Sequence, residues 1–489
     1  MNIHLIQPPI SIGRKSPFIC LPNSISVIAN CLKQKGYTVS QYDMWNVSHG
    51  LNDAVGKLFE EGVDIRRVEK QIIGTGLFKN RHHMKSIRDI GEKMYGLIKP
   101  GRGDLIGISI HSYTQLISGL ALANEIKRRI HARCVMGGAF ISFFADIFFK
   151  YMKCVDYLIK GDGCLSFPEL LGAIHGKIKL SEVPNLIYRK YGITRRNRFI
   201  ATDINGLPLP DYSGLPWDVY AKKLKEEKGK FLLIPYEISS GCRCGCNFCI
   251  TRKMYEYHIK SQDKVIDDLT ALRNRYPDAI FFLCNCYLNI SEEYIQGLCD
   301  IFIKRALKIK WVSYARVNNL SKATLLKLRQ AGCIQLSFGV ESGSNHILKA
   351  MNKGFSVKDA EETLVRTHEA GIKNVVFIIT GYPFETDDDL SLTIQFLRQN
   401  REHIDYVSVY KFILFHGSDM HINPESHGLM NLRPRSHMAG VEFIFDEKGN
   451  LSWVERERFQ KKSHEKITGV VNELYCPGYA EGLTVKCHL

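Results

Sequence analysis

Ser240-Gly241-Cys242-Arg243-Cys244-Gly245-Cys246-Asn247-Phe248-Cys249 directly follows an apolar, strand-like run at 232–238. Taking Cys242, Cys246 and Cys249 gives C-x3-C-x2-C on a loop at a strand end. Three thiolates can hold three irons of a [4Fe–4S] cluster and leave the fourth iron open to a small chelating ligand. Four protein ligands would close that position, just as structural zinc sites are closed and catalytic ones open. On spacing alone the alternatives are a zinc knot with Cys244 as fourth ligand, or a group of unligated thiols.

Downstream of this loop, strand-like runs recur near 279–284, 310–314, 334–339, 375–380 and 406–410, separated by helix-length segments. With the first run they make six βα-like units. The pattern predicts a partial or full parallel (β/α)6 barrel over 231–422, with its chemistry at the strand carboxyl ends. Upstream, strands are expected at 3–6, 38–42, 105–110, 133–136 and 155–159. Helices are expected from Pro22-Asn23-Ser24 to Gly36, over 115–129 and over 143–152. This is a five-stranded doubly wound, flavodoxin-like α/β domain over 1–215, whose ligands sit beyond the strand carboxyl ends. A polar helical insertion occupies 46–103. Residues 181–230 read as irregular, punctuated by Pro184, Pro208, Pro210 and Pro216, with the linker at 216–230. The tail, 423–489, lacks clear periodicity and reads as a C-terminal extension.

The 489 residues are 45% hydrophobic and 24% charged, enough for two or three cored domains and against disorder. No signal peptide opens the chain and no run of about 18 apolar residues follows, so no membrane span and a cytoplasmic location are expected. Fifteen cysteines in such a chain fit reduced thiols and a metal site better than disulfides. The net charge of +16 comes from clusters such as Lys127-Arg128-Arg129 and Arg195-Arg196-Asn197-Arg198, interrupted by acids and apolar residues. Solvated faces explain them; an acidic peptide, a phosphorylated substrate or RNA is the alternative.

The cysteine loop with Phe248 before its last cysteine resembles the signature of radical S-adenosylmethionine (SAM) enzymes. Three further segments match in order: Ala315-Arg316 after the third barrel strand, Gly339-Val340-Glu341-Ser342 at the end of the fourth, and Gly381-Tyr382-Pro383-Phe384-Glu385-Thr386 after the fifth. The resemblance implies that Cys242, Cys246 and Cys249 hold the cluster, and that Phe248, Ala315, Arg316, Glu341, Gly381 and Pro383 bind SAM. After the second strand, Cys284-Asn285-Cys286-Tyr287-Leu288-Asn289 keeps the family's asparagine but not its two acids. Cys284 and Cys286 are therefore candidates for shaping the substrate pocket or donating hydrogen.

Residues 1–215 resemble the cobalamin-binding domain of one radical SAM class. On that likeness Pro8 and Pro9, Ser112 and Thr114, Gly137, Gly138 and Ser142, and Gly161, Asp162 and Gly163 contact the corrin. Glycines let backbone groups approach a large ring and hydroxyls bond its amides. The usual Gly-Gly-Pro-His is here Gly137-Gly138-Ala139-Phe140, and no D-x-H-x-x-G supplies a histidine beneath cobalt; His111 reads as a hydrogen-bonding loop residue.

The resemblance implies a cobalamin-dependent radical SAM methyltransferase: methyl passes from one SAM to cobalamin, a second SAM yields the 5′-deoxyadenosyl radical, and the substrate carbon or phosphorus collects methyl. Rearrangement or cyclisation with the same cofactors is the alternative. RNA modification of the methylthiolating kind is a second, disfavoured because Cys20, Cys31, Cys134, Cys154 and Cys164 lack shared-site spacing. Expected partners are a small-molecule or peptide substrate and an electron donor such as flavodoxin or ferredoxin, with nucleic acid not expected.

Overall fold

The computed structural model describes residues 1–10, 18–61, 81–227, 230–251, 257–284, 286–435 and 440–475. Part of the helical insertion, Asn285 and the last residues of the tail lie outside them.

The first sheet holds β1 (Ile3–Gln7), β3 (Val39–Asp43), β4 (Leu105–Ser109), β5 (Arg133–Gly137), β6 (Tyr157–Ile159), β7 (Leu186–Lys190) and β8 (Ile193–Arg196); β2 (Phe18–Cys20) lies elsewhere. Its order is β3-β1-β4-β5-β6-β7-β8, parallel through β6 and antiparallel beyond. The five parallel strands are those expected, in the doubly wound order whose crossover reverses between β1 and β4. β1 and β4 are buried throughout, as continuous apolar strands covered on both faces must be. The helix expected over 143–152 begins earlier and spans Ala139–Phe148, because the turn at Gly138 starts it at once.

The second sheet contains β9 (Phe231–Glu237), β12 (Ile280–Cys284), β13 (Lys310–Ala315), β14 (Cys333–Glu341), β15 (Lys373–Thr380) and β16 (Tyr406–Lys411). It is all parallel, in the order β16-β15-β14-β13-β12-β9-β2. Among the described residues β16 and β2 do not pair with each other, so the barrel is partial. The seventh strand was not expected: β2 leaves the first domain and pairs with β9, Phe18 opposite Phe231 and Cys20 opposite Leu233. A short ladder, β10 (Ser239–Ser240) with β11 (His258–Ile259), follows β9.

Two regions that looked unstructured are built. The irregular stretch after 181 contains the antiparallel pair β7 and β8, and the linker is the helix Trp217–Glu226. That helix is anchored by Tyr220, whose hydroxyl donates to buried Asp43 at 2.6 Å, while Tyr212, Leu215 and Tyr220 pack in the barrel core. The tail forms an antiparallel sheet of β17 (Leu414–Phe415), β18 (Leu429–Pro434) and β19 (Glu442–Glu447), then the helix Trp453–Leu474. Ile467 and Val471 of this helix join the barrel core. Among the described residues no helix is long and apolar enough to cross a membrane.

Candidate active site

The cysteine loop leaves the carboxyl end of β9 and is closed at its base by the β10–β11 ladder. Asn247, in its middle, fixes it to the barrel. Its backbone N–H donates to Met351 O at 3.3 Å and its amide to Ala350 O at 2.7 Å, and its carbonyl accepts from Tyr382 OH at 3.2 Å. Phe248 packs edge-on against Tyr382. So held, Cys242, Cys244, Cys246 and Cys249 line one cavity, and Cys284 and Cys286 line it too. The thiols influence one another. Cys244 pulls the Cys242 thiol down while Cys286 and burial push it up, to about 11 on balance. Burial raises Cys249. Thiols held protonated must lose their protons to bind a metal, so metal loading releases protons here. Among the described residues no three His, Cys, Asp or Glu side chains form a ready metal-binding group, so the loop sulfurs are gathered without being preassembled.

Around the loop stand a half-buried arginine, a buried lysine and one buried acid. Arg316 Nη1 lies 3.8 Å from Cys246 Sγ, and its other guanidinium nitrogen donates to Lys353 O. Asn289 accepts from Arg316 N–H at 2.9 Å and donates to Arg316 O at 3.0 Å. That is a physical role for the asparagine kept after the second strand. Glu341 ends β14 with φ +73, where the β14–β15 register shifts, and its carboxylate meets Lys353 Nζ at 3.4 Å. Burial raises the Glu341 pKa against the pull of Lys353 and Arg316. A Cβ at Gly339 would lie 2.5 Å from Glu341 Oε1, so a larger residue there would displace the carboxylate. Phe248, Ala315, Arg316 and Glu341 thus share the cavity, joined by Lys353, which sequence reasoning missed. Gly381 and Pro383 do not line it. Their turn packs against the C-terminal helix: Gly381 N–H donates to Glu385 at 2.6 Å, and Arg456 donates to Gly381 O. In this structure the turn stands behind the cavity lining and braces it against the C-terminal helix.

The opposite wall comes from the first sheet. Gly138, Gly161, Asp162 and Gly163 line the cavity; Pro8, Pro9, Ser112, Thr114, Gly137 and Ser142 do not. Those six hold the wall in place. Pro8 O accepts from Gln115 and Pro9 O from Ser118, Ser112 and Thr114 bond each other at the start of the helix Tyr113–Arg129, and Gly137 O accepts from Ile110 N–H. Ser142 donates to Gly138 O at 2.9 Å and accepts from Gly161 N–H at 2.8 Å, tying two glycine turns together. At Gly138, φ +98, a Cβ would sit 2.5 Å from Ile110 O, so only glycine fits. His111 does line the cavity. Its Nε2 lies 3.0 Å from both Ser24 Oγ and Ser109 Oγ, and burial lowers its pKa to about 4, so it is neutral. Phe199, Ile200 and Thr202, from the stretch read as irregular, were missed. An apolar pair straight after a run of arginines was the available signal.

The two walls enclose a single cavity of about 860 Å³, lined from Ser24 and His111 on one side to Cys249 and Glu341 on the other. Residues 236–397 match the Radical SAM superfamily. The barrel is a radical SAM domain, of a superfamily of enzymes whose cofactors are a [4Fe–4S] cluster and SAM. An uncharacterized methyltransferase of Pyrococcus horikoshii is 25% identical over 364 residues, 69% of this chain and 76% of that protein. The cobalamin-dependent SAM radical enzyme OxsB, solved with aqua-cobalamin and SAM bound, superposes with TM-score 0.66 at 16% identity, covering 96% of this chain and 66% of OxsB. The radical SAM methyltransferase TsrM of Kitasatospora setae, solved with cobalamin and a [4Fe–4S] cluster, superposes with TM-score 0.65 at 14% identity, covering 95% of this chain and 91% of TsrM. The expected two-part fold is therefore shared by cobalamin-dependent members of the class.

Proposed function

We propose that this chain is a cobalamin-dependent radical SAM methyltransferase acting on an unactivated carbon or phosphorus centre of a small molecule or peptide. The observation that carries the reading is the continuity of one cavity from the strand-end loops of the first sheet to the cysteine loop of the barrel. Its volume lies within the range of cofactor and ligand sites.

The residues present suit the groups required. Three loop thiols, Cys242, Cys246 and Cys249, beside the cation of Arg316 are a donor set for an anionic iron–sulfur cluster. Glu341 and Lys353 present opposite charges at 3.4 Å, complementary to the ammonium and carboxylate of an amino-acid moiety such as that of SAM. On the first-domain wall, the Ser24–Ser109–His111 cluster offers neutral polar groups, and Phe199 and Ile200 remain 44% and 45% exposed. Exposed apolar side chains facing a cavity suit a broad ring laid over them. When bound, the cluster with SAM supplies hydrogen-atom abstraction and cobalamin supplies methyl. The protein's part is to orient both against one substrate volume and to exclude water from it. Buried Lys353 and Glu341 do so near the cluster; His111, uncharged, keeps the corrin wall neutral.

Anaerobic reconstitution followed by mass spectrometry of candidate substrates tests the proposal. A gain of about 14 daltons per event supports methylation. A product of unchanged mass, or reduced by hydrogen alone, assigns the chain to rearrangement or cyclisation.

A further inference from the structure

Glu237 is the last residue of β9, five positions before Cys242, and it faces the cavity. Among the described residues its half-buried carboxylate makes no hydrogen bond or salt bridge, although a carboxylate drawn out of water ordinarily finds partners. Ser239, two residues on and lining the same cavity, is only 4% exposed, and its hydroxyl has no hydrogen-bond partner. Elsewhere on the lining of the same cavity, the hydroxyl of Thr202 is likewise buried and unpartnered. Asp162 closes the corner from the first domain, where it caps the helix Gly163–Ile174. Behind them lies Lys260, 5% exposed, stacked over the ring of Tyr236.

This corner holds two carboxylates and one lysine. Burial raises Glu237, Lys260 lowers it and Asp162 raises it again, to about 7. The two acids repel each other, and the single buried cation also faces Asp268. The side chains left unpaired at this corner, the Glu237 carboxylate and the Ser239 hydroxyl, can both accept a hydrogen bond. A group bringing several N–H donors and a positive charge would satisfy them and relieve the repulsion together. A neutral donor would do only the first. Tyr314 and Phe377 offer apolar surface on the same cavity for the rest of such a molecule.

We infer that Glu237, with Ser239 and Asp162 beside it, forms the subsite that receives a cationic amino group of the substrate. The inference rests on the proposed function for the word substrate, and it narrows the substrate class to amine-bearing molecules. Glu237 acts here as a binding residue, with no bond made or broken at its carboxylate.

The test titrates two probes, 2-phenylethylamine and its neutral counterpart 2-phenylethanol, into the full chain reconstituted with cluster and cobalamin, by calorimetry. The amine should bind at least tenfold tighter than the alcohol. Glu237→Gln, which keeps the shape and removes the charge, should abolish that preference, and Ser239→Ala should reduce it by a fewfold. Equal binding of the two probes, no binding of either, or a preference that survives Glu237→Gln overturns the inference. Cobalamin uptake by the Glu237→Gln protein is measured alongside. Unchanged uptake agrees with a substrate role, whereas lost uptake assigns the carboxylate to the corrin amides and overturns it. Wild-type chain that fails to take up cobalamin would sink the proposed function, while the amine preference could still be read on the chain carrying its cluster alone.

Discussion

Lys353 Nζ lies 3.4 Å from Glu341 Oε1, and both side chains are nine-tenths buried beside the cysteine loop. Removing the acid would strand the lysine in a dry site, a change that costs more than the hydrogen bond itself. Glu341→Gln is therefore the better probe. It should retain the cluster and weaken SAM binding by about ten- to a hundredfold, the value of a hydrogen bond to a charged group at roughly 1.5–3 kcal/mol. Equilibrium dialysis with SAM checks it; unchanged affinity would reduce Glu341 to a strand-end cap.

Cys242→Ala, Cys246→Ala and Cys249→Ala should each abolish SAM cleavage, because each thiolate is a cluster ligand. Cys244, whose backbone N–H points to Cys242 Sγ at 3.4 Å, should be replaceable by alanine with iron content kept at about four per chain. A dispensable Cys242 with an essential Cys244 would shift the ligand register. Iron and sulfide analysis of the four variants decides.

Cys284 ends β12 and Cys286 lies next to the Cys242 thiol, both on the cavity. Serine at both positions should leave SAM cleavage intact. A changed product ratio would give them a part in substrate handling; an unchanged ratio would leave them as packing.

How much of this was legible in advance follows local pattern. All six barrel strands and four of the five parallel strands of the first sheet announce themselves as mainly apolar runs between helix-length segments, while β3, Val-Ser-Gln-Tyr-Asp, shows only in its place after the first helix. So does the cysteine loop. What stayed hidden depended on partners far away in sequence. Phe18–Cys20 is three residues long and is a strand only because β9 offers an edge. β8, Ile193–Arg196, is charged and exposed, so it carries no alternation of apolar and polar residues. The C-terminal helix did carry a signal, the Ser452/Glu455 capping box, that its polar composition masked. Lys353 and Phe199 enter the site from a helix end and an irregular stretch, where no periodicity marks them.

His111 is neutral in the folded chain because burial lowers its pKa to about 4. The unfolded chain binds a proton near pH 6.5, so the stability this residue contributes is whole above that value. It is lost as pH falls toward 4, by roughly 3 kcal/mol at most. Denaturant melts of the cobalamin-free protein from pH 7.5 to 5 should show that slope, shallower in His111→Gln. The same ring, held by Ser24 and Ser109, should not ligate cobalt. The electron paramagnetic resonance spectrum of the cob(II)alamin form should lack nitrogen splitting, and splitting removed by His111→Ala would make it the lower ligand.

Arg456, from the C-terminal helix, pairs with Glu447 at 2.8 Å, both at most 5% exposed, and holds Gly381 O from below. Arg456→Ala leaves Glu447 buried without that partner and should cost about 3–5 kcal/mol in chemical denaturation. A loss under 1 kcal/mol would mean that water reaches the pair.

Phe18–Cys20 is translated with the first domain and hydrogen-bonded within the second. A gene cut between the two halves would therefore not release independent cassettes. A barrel expressed alone would expose the outer edge of β9 at Phe231–Leu233, an unpaired strand inviting self-association. During synthesis the same segment waits until β9 emerges, which makes this long-range pairing among the slow links of folding. Exchanging the front half between relatives should succeed only when the transplanted piece brings its matching edge strand.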